Sequence, residues 1–113
     1  MAHRPSKQPA ISVVIPVHNG DATLVRAIES VLGQPFEDVE LIVADCASTD
    51  RTASICERER ERNIRFEYVP APGDDLLRGL AAGADYARGR YIMPMRPADW
   101  FGAGLLESMA AAI

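Results

Sequence analysis

Cysteine is nearly absent from this 113-residue chain. Only Cys46 and Cys56 occur, and no C-x-x-C spacing links them. Neither a disulfide framework nor a cysteine-based zinc site is expected, and two free thiols suggest a reducing compartment. Aromatic residues are few, at 6%, and none interleaves with the basic residues. Lys and Arg number 12 against 16 Asp and Glu, a formal charge of −4. That balance serves solubility and excludes a nucleic-acid footprint. No run approaches the roughly 18 apolar residues of a membrane span. The start, Met1 to Pro9, has no apolar signal segment. Residues 1–10 are expected to form a flexible tail, and the location is expected to be cytoplasmic. Repeats and low-complexity linkers are also missing.

What remains is enough for one domain, residues 11–113. Apolar residues make up 48% of the chain, which suits a globular core. Ile11 to Val17 and Val39 to Ala44 are nearly continuous apolar runs, as strands covered on both faces require. Ile64 to Val69 alternates, as an edge strand does. Tyr91 to Met95 is a fourth strand, with Pro94 out of place for a central position. Leu24, Val25, Ile28, Val31 and Leu32 recur at helical spacing, so 22–32 reads as a helix with Asp21 as its cap and Gly33 as its stop. Further helices are expected from Asp50 to about Arg60, from Asp74 or Asp75 to about Ala87, and over Leu105–Ala112. The tract Glu57 to Arg62 is read as a solvated helix face with i,i+3 ion pairs.

Strand and helix thus alternate four times. The fold class is α/β, an open and mostly parallel sheet, Rossmann-like, with expected strand order 3-2-1-4. Its switch point lies between the first and fourth strands, where ligands bind outside the carboxyl ends. That edge collects His18, Asn19, Asp45, Ser48, Asp50 and Asp99. Gly79 and Gly83, four residues apart, weaken the third helix by propensity but let it pack closely on the sheet.

Four stretches carry a resemblance. They are Val13-Val-Ile-Pro-Val-His-Asn19, Arg26-Ala-Ile-Glu-Ser-Val-Leu-Gly-Gln34, Leu41 to Asp50, and Ala87-Arg-Gly-Arg-Tyr-Ile92 followed by Asp99-Trp100. Together they resemble the inverting, family 2-type glycosyltransferases of the GT-A fold, over residues 11 to 112. The match covers their N-terminal, nucleotide-sugar-binding half, so the domain is read as truncated. The resemblance implies a UDP- or GDP-sugar donor, with Pro16, His18, Asn19, Asp45, Ser48, Asp50 and Asp99 as candidate contacts; Arg96, a departure from the family, is a further candidate. In it Asp45 contacts the base, and Mg²⁺ or Mn²⁺ neutralises the diphosphate.

The departures matter as much. Cys46 and Ala47 stand where the family has Asp and Gly, and Ala47 either strains or reshapes any turn that needs positive φ there. Asp75-Leu76 and Leu80-Ala81 replace Gly-Leu and Arg-Asn. Arg96-Pro97-Ala98-Asp99 replaces the metal-binding Asp-x-Asp-Asp, so no metal ligand is assigned. Arg96 repels a metal; it either meets the diphosphate directly or pairs with a surface acid. Asp45, Ser48 and Asp50 are open to two readings, nucleotide contact or a helix-capping turn. Asn19 is expected to bond its own backbone. No catalytic base is found, since neither His3 nor His18 has a case.

The functional expectation is a glycosyltransferase-like donor domain, inactive as this segment. The alternative is a non-catalytic binding or assembly domain with residual metal-free nucleotide binding. Its expected partners are a second copy of the chain or a C-terminal acceptor domain.

Overall fold

The computed structural model describes residues 8–112. Its elements are β1 (Ile11–Val17), α1 (Leu24–Leu32), β2 (Val39–Cys46), α2 (Thr52–Arg62), β3 (Phe66–Ala71), α3 (Leu76–Tyr86), β4 (Tyr91–Pro94) and α4 (Leu105–Ala112). The four strands form one all-parallel sheet in the order β3-β2-β1-β4, as expected from the sequence.

The central strands are buried on both faces, which is why β1 and β2 read as unbroken apolar runs. Alternation divides their side chains. Ile11, Val13, Ile15 and Val17 join Val39, Leu41 and Val43 beneath α1, α2 and α4, with Leu24, Ile28, Cys56 and Leu106 among the contacts. Val14 and Ile42 point the other way and meet Val69 and Leu80. Among the described residues, only α3 covers this second face. It does so at short range: a Cβ on Gly83 would stand 2.6 Å from Val14 Cγ1, and one on Gly79 would collide with Cys46 Sγ. The two glycines trade helix propensity for this approach.

The ends of the elements show where local reasoning holds. Asp75 caps α3, its carboxylate accepting from Leu77 N at 3.0 Å. Asp21 does not cap α1; the helix starts after Thr23, without a side-chain cap. Gly33 closes α1 with its N–H on Glu29 O. On α2, Arg60 reaches Glu57 at 2.8 Å on an exposed face, as expected of that charge tract. The strand at Tyr91 is an edge, so Pro94 costs no ladder bond to a further strand, and Met95 N still donates to Val14 O at 2.9 Å. Of the expected tail, residues 1–7 lie outside the described residues. Pro9 and Ala10 are buried, and Pro9 O accepts from Arg90 N.

A buried polar cluster ties the α3–β4 connection to the start of the sheet. Ser12 Oγ donates to Glu40 Oε2 at 2.6 Å, and Arg88 N donates to the same oxygen at 2.6 Å. Gly89 N donates to Ser12 Oγ at 2.8 Å. The Arg88 guanidinium lies 3.6 Å from Glu40. Gly89 is required here, because a Cβ would stand 2.6 Å from both Ser12 N and Oγ. Glu40 is 5% exposed and Ser12 fully buried, so removing the shared acceptor strands several donors. Glu40→Ala is expected to lower unfolding stability by about 3 kcal/mol, seen as a lower urea midpoint. Glu57→Ala, on the solvated face of α2, is expected to leave that midpoint unchanged.

Candidate functional site

In the sheet register Val17 stands beside Asp45, so the loops leaving β1 and β2 emerge as neighbours. Past that point their backbone N–H groups have no strand to bond. Each loop's side chains accept from the other's backbone. Asn19 N donates to Ser48 Oγ at 2.9 Å, Gly20 N to Thr52 Oγ1 at 3.1 Å, and Asp21 N to Asp50 Oδ2 at 3.1 Å. In return Thr49 N and Asp50 N donate to Asn19 Oδ1 at 2.7 and 3.3 Å, and Arg51 N donates to Asp21 Oδ2 at 3.2 Å. Asn19 therefore bonds the other loop's backbone, contrary to the local turn expected of it. Asp21 serves the same clasp, which is why it is not available to α1.

The clasp holds two residues in the left-handed region, Asn19 at φ 55° and Ala47 at φ 56°. Asn tolerates this conformation, whereas Ala pays about 1–2 kcal/mol for it. The strain expected at Ala47 is thus present. The turn keeps the shape that glycine would adopt freely.

Asp45 lies at the root of the clasp and is 6% exposed. Its Oδ1 accepts from Ser48 N at 3.1 Å, and its Oδ2 accepts from the Tyr68 hydroxyl at 2.7 Å. Tyr68, on β3, was not anticipated. The available signal was an inward-facing tyrosine on an edge strand, whose hydroxyl needs a polar partner. Burial foremost, then the bond to Asp45, raises the Tyr68 pKa, so the phenol remains a donor. Thr52 was also missed; it is fully buried and accepts from Gly20.

His18 is exposed, with Nδ1 2.6 Å from Cys46 O and Nε2 3.3 Å from Asn19 Nδ2. A carbonyl can only accept, so Nδ1 carries the proton in the neutral ring and Nε2 accepts from the Asn19 amide. Pro16 sits on the α3 face, 3.5 Å from where a Gly79 Cβ would be, and apart from this group. Burial raises both thiols, Cys56 to about 12, so neither is a ready nucleophile.

The segment after β4 returns to the same edge. Pro97 Cβ would stand 3.4 Å from a Cβ on Gly20. Arg96 and Asp99 pair with each other: Nε donates to Oδ2 at 3.0 Å and Nη2 to Oδ1 at 3.2 Å. The pairing lowers the Asp99 pKa and raises that of Arg96. These residues do not fit a divalent cation, because a guanidinium occupies the one carboxylate present. Among the described residues no group of three or more His, Cys, Asp or Glu side chains could hold a metal ion. No described helix is long and apolar enough to cross a membrane.

A family model described as glycosyl transferase family 2 matches residues 12–113. Glycosyltransferase GlyA of Streptococcus pneumoniae is 25% identical over 88% of this chain and 14% of its own length. The minor teichoic acid biosynthesis protein GgaB of Bacillus subtilis is 32% identical over 87% of this chain and 11% of its own. Among solved structures, S. aureus TarS 1-349 superposes with a TM-score of 0.82 at 22% identity, over 89% of this chain and 31% of that one. It has also been solved in complex with UDP-GlcNAc. The chain thus spans a minor part of each of these proteins.

Two outcomes follow from the clasp. Ala47→Gly is expected to raise stability by about 1 kcal/mol, the relief of strain less the extra chain entropy of glycine, read from the urea midpoint. For Asp50, partial burial acts to raise the carboxyl. The bonds from Thr52 and Asp21 together outweigh it and hold the group at about 2, below its ordinary 3.8. A depressed carboxyl stabilises fully above its unfolded value and loses that effect as pH falls through its folded value. The thermal midpoints of wild type and Asp50→Ala are therefore expected to differ at pH 6 and converge between pH 4 and pH 2.

Proposed function

Because the chain belongs to glycosyl transferase family 2, we propose that it is the donor-binding portion of a glycosyltransferase, taking a UDP- or GDP-sugar at the clasped loops. The TarS neighbour solved with UDP-GlcNAc supports a nucleotide sugar as ligand class. The observation that carries the reading is that Asp45, His18 and Asn19 meet at one sheet edge, with Pro97, from the segment that holds the Arg96–Asp99 pair, beside Gly20. Asp45 would accept from the base. Arg96 would turn from Asp99 to the diphosphate, where its planar fork matches two phosphate oxygens. The exchange costs little, since an exposed ion pair contributes little net stability. Asp99, once released, could accept from a sugar hydroxyl.

In the transfer itself the acceptor oxygen bonds to the anomeric carbon, the bond from that carbon to the diphosphate breaks, and the diphosphate leaves with the electron pair. The hydroxyl proton must go to a base. No described residue is placed for that task, so transfer would draw on an acceptor-binding domain supplied elsewhere. The exposed β4 edge, with Tyr91 and Ile92, is the surface on which such a domain or a second copy would seat. A cytoplasmic location fits two unpaired thiols.

Titration calorimetry with UDP, GDP and their sugars tests this, in Mn²⁺ and in EDTA. Binding is expected without metal and should weaken about tenfold in Arg96→Ala, the loss of a charge-assisted bond. Absence of binding under both conditions would sink the donor-site reading. Binding that is indifferent to Arg96→Ala would remove the diphosphate role.

A further inference from the structure

The buried end of the site has a contact that the donor-site reading does not use. The Tyr68 hydroxyl reaches Asp45 Oδ2 from β3, while Ser48 N holds Asp45 Oδ1 from the clasp. We propose that Tyr68 is a positioning residue, which with the Ser48 amide fixes Asp45 as an acceptor that selects a nucleobase carrying a ring N–H. The inference rests on the donor-site reading above and adds to it the residue that sets base preference.

The geometry leads there in three steps. Tyr68 pairs with Val43 in the parallel register, two residues before Pro70, which lies beside Asp45. Its ring packs on the face that carries Val43, so the hydroxyl extends along the strand direction to the carboxylate. The two oxygens of Asp45 then each have one donor, from different elements, and the carboxylate plane cannot rotate without breaking a bond. Each oxygen keeps one further accepting position. At 6% exposure, the approach to those positions is narrow.

An acceptor held in this way discriminates by hydrogen. Uracil offers N3–H and guanine offers N1–H, whereas cytosine has a lone pair at that ring position and must shift to bring its N4 amine to the carboxylate instead. Tyr68 keeps its proton, because burial and Asp45 itself oppose ionisation of the phenol. The neighbouring groups do not compete for Asp45. The Cys56 thiol of α2 is held neutral by burial, and Asp45 itself acts to raise it further.

Competition calorimetry with UDP, GDP and CDP, on wild type and Tyr68→Phe, tests the proposal. The variant keeps the ring and deletes the hydroxyl, and its urea midpoint is measured alongside. Wild type is expected to prefer the better of UDP and GDP over CDP by at least about tenfold. Tyr68→Phe should narrow that preference to about threefold or less, mostly by weakening the favoured nucleotide. An unchanged preference in a folded Tyr68→Phe, whatever its stability, overturns the proposal, since a merely structural tyrosine would behave so. Equal affinity of wild type for all three also overturns it, and needs no variant. If wild type binds none of them, the donor-site reading itself has failed and this inference falls with it.

Discussion

Backbone amides that leave a parallel sheet side by side need acceptors, and here each of the two loops supplies them to the other. Side chains of Ser48, Thr52 and Asp50 take the amides of Asn19, Gly20 and Asp21, while Asn19 and Asp21 take those of Thr49, Asp50 and Arg51. The amides of Gly20 and Asp21 are partly buried, and each would cost the desolvation of an unmade bond if orphaned. The exchange explains why an alanine is tolerated in a left-handed turn and why α1 starts without a side-chain cap. It also sets the position of Asp45, whose amide partner Ser48 is itself held by Asn19. The edge proposed to bind the nucleotide and this structural joint are therefore the same set of residues.

The segment after β4 changes the electrostatics of that edge. A cluster of carboxylates is negative until a cation arrives. Arg96 and Asp99 are neutral as a pair, and neither demands a metal for the site to be stable. On the proposed donor-site reading, the phosphate charge would be met by a guanidinium that is already at the surface.

The fold was legible because its signals are strong and of one kind. Two unbroken apolar runs rich in β-branched residues read as central parallel strands, and a more polar run as an edge, which with right-handed crossovers order the sheet. Asp75 was legible as a cap because its partners lie two and three residues away. Asp21 and Asn19 were not, although they are the same kinds of residue, because their partners lie about thirty residues away in sequence. Short-range propensity competes with tertiary bonding at such positions, and tertiary bonding prevails where two loops run together. Tyr68 escaped for a related reason. Its ring reads as ordinary core, and only the pairing of β2 with β3 brings its hydroxyl to Asp45. Ala47 was flagged through a resemblance, and its φ of 56° makes the strain physical.

The unequal cover of the sheet has a practical consequence. Cys46 lies beneath α3, with its sulfur against Gly79, while Cys56 lies under the opposite face within α2. Both thiols are buried and held in the unreactive form. A thiol reagent reaches Cys46 only when α3 lifts away, and reaches Cys56 only when the thicker layer parts. The chain thus carries one chemical reporter per face, and the two labelling rates would time the opening of each side separately, with no probe introduced.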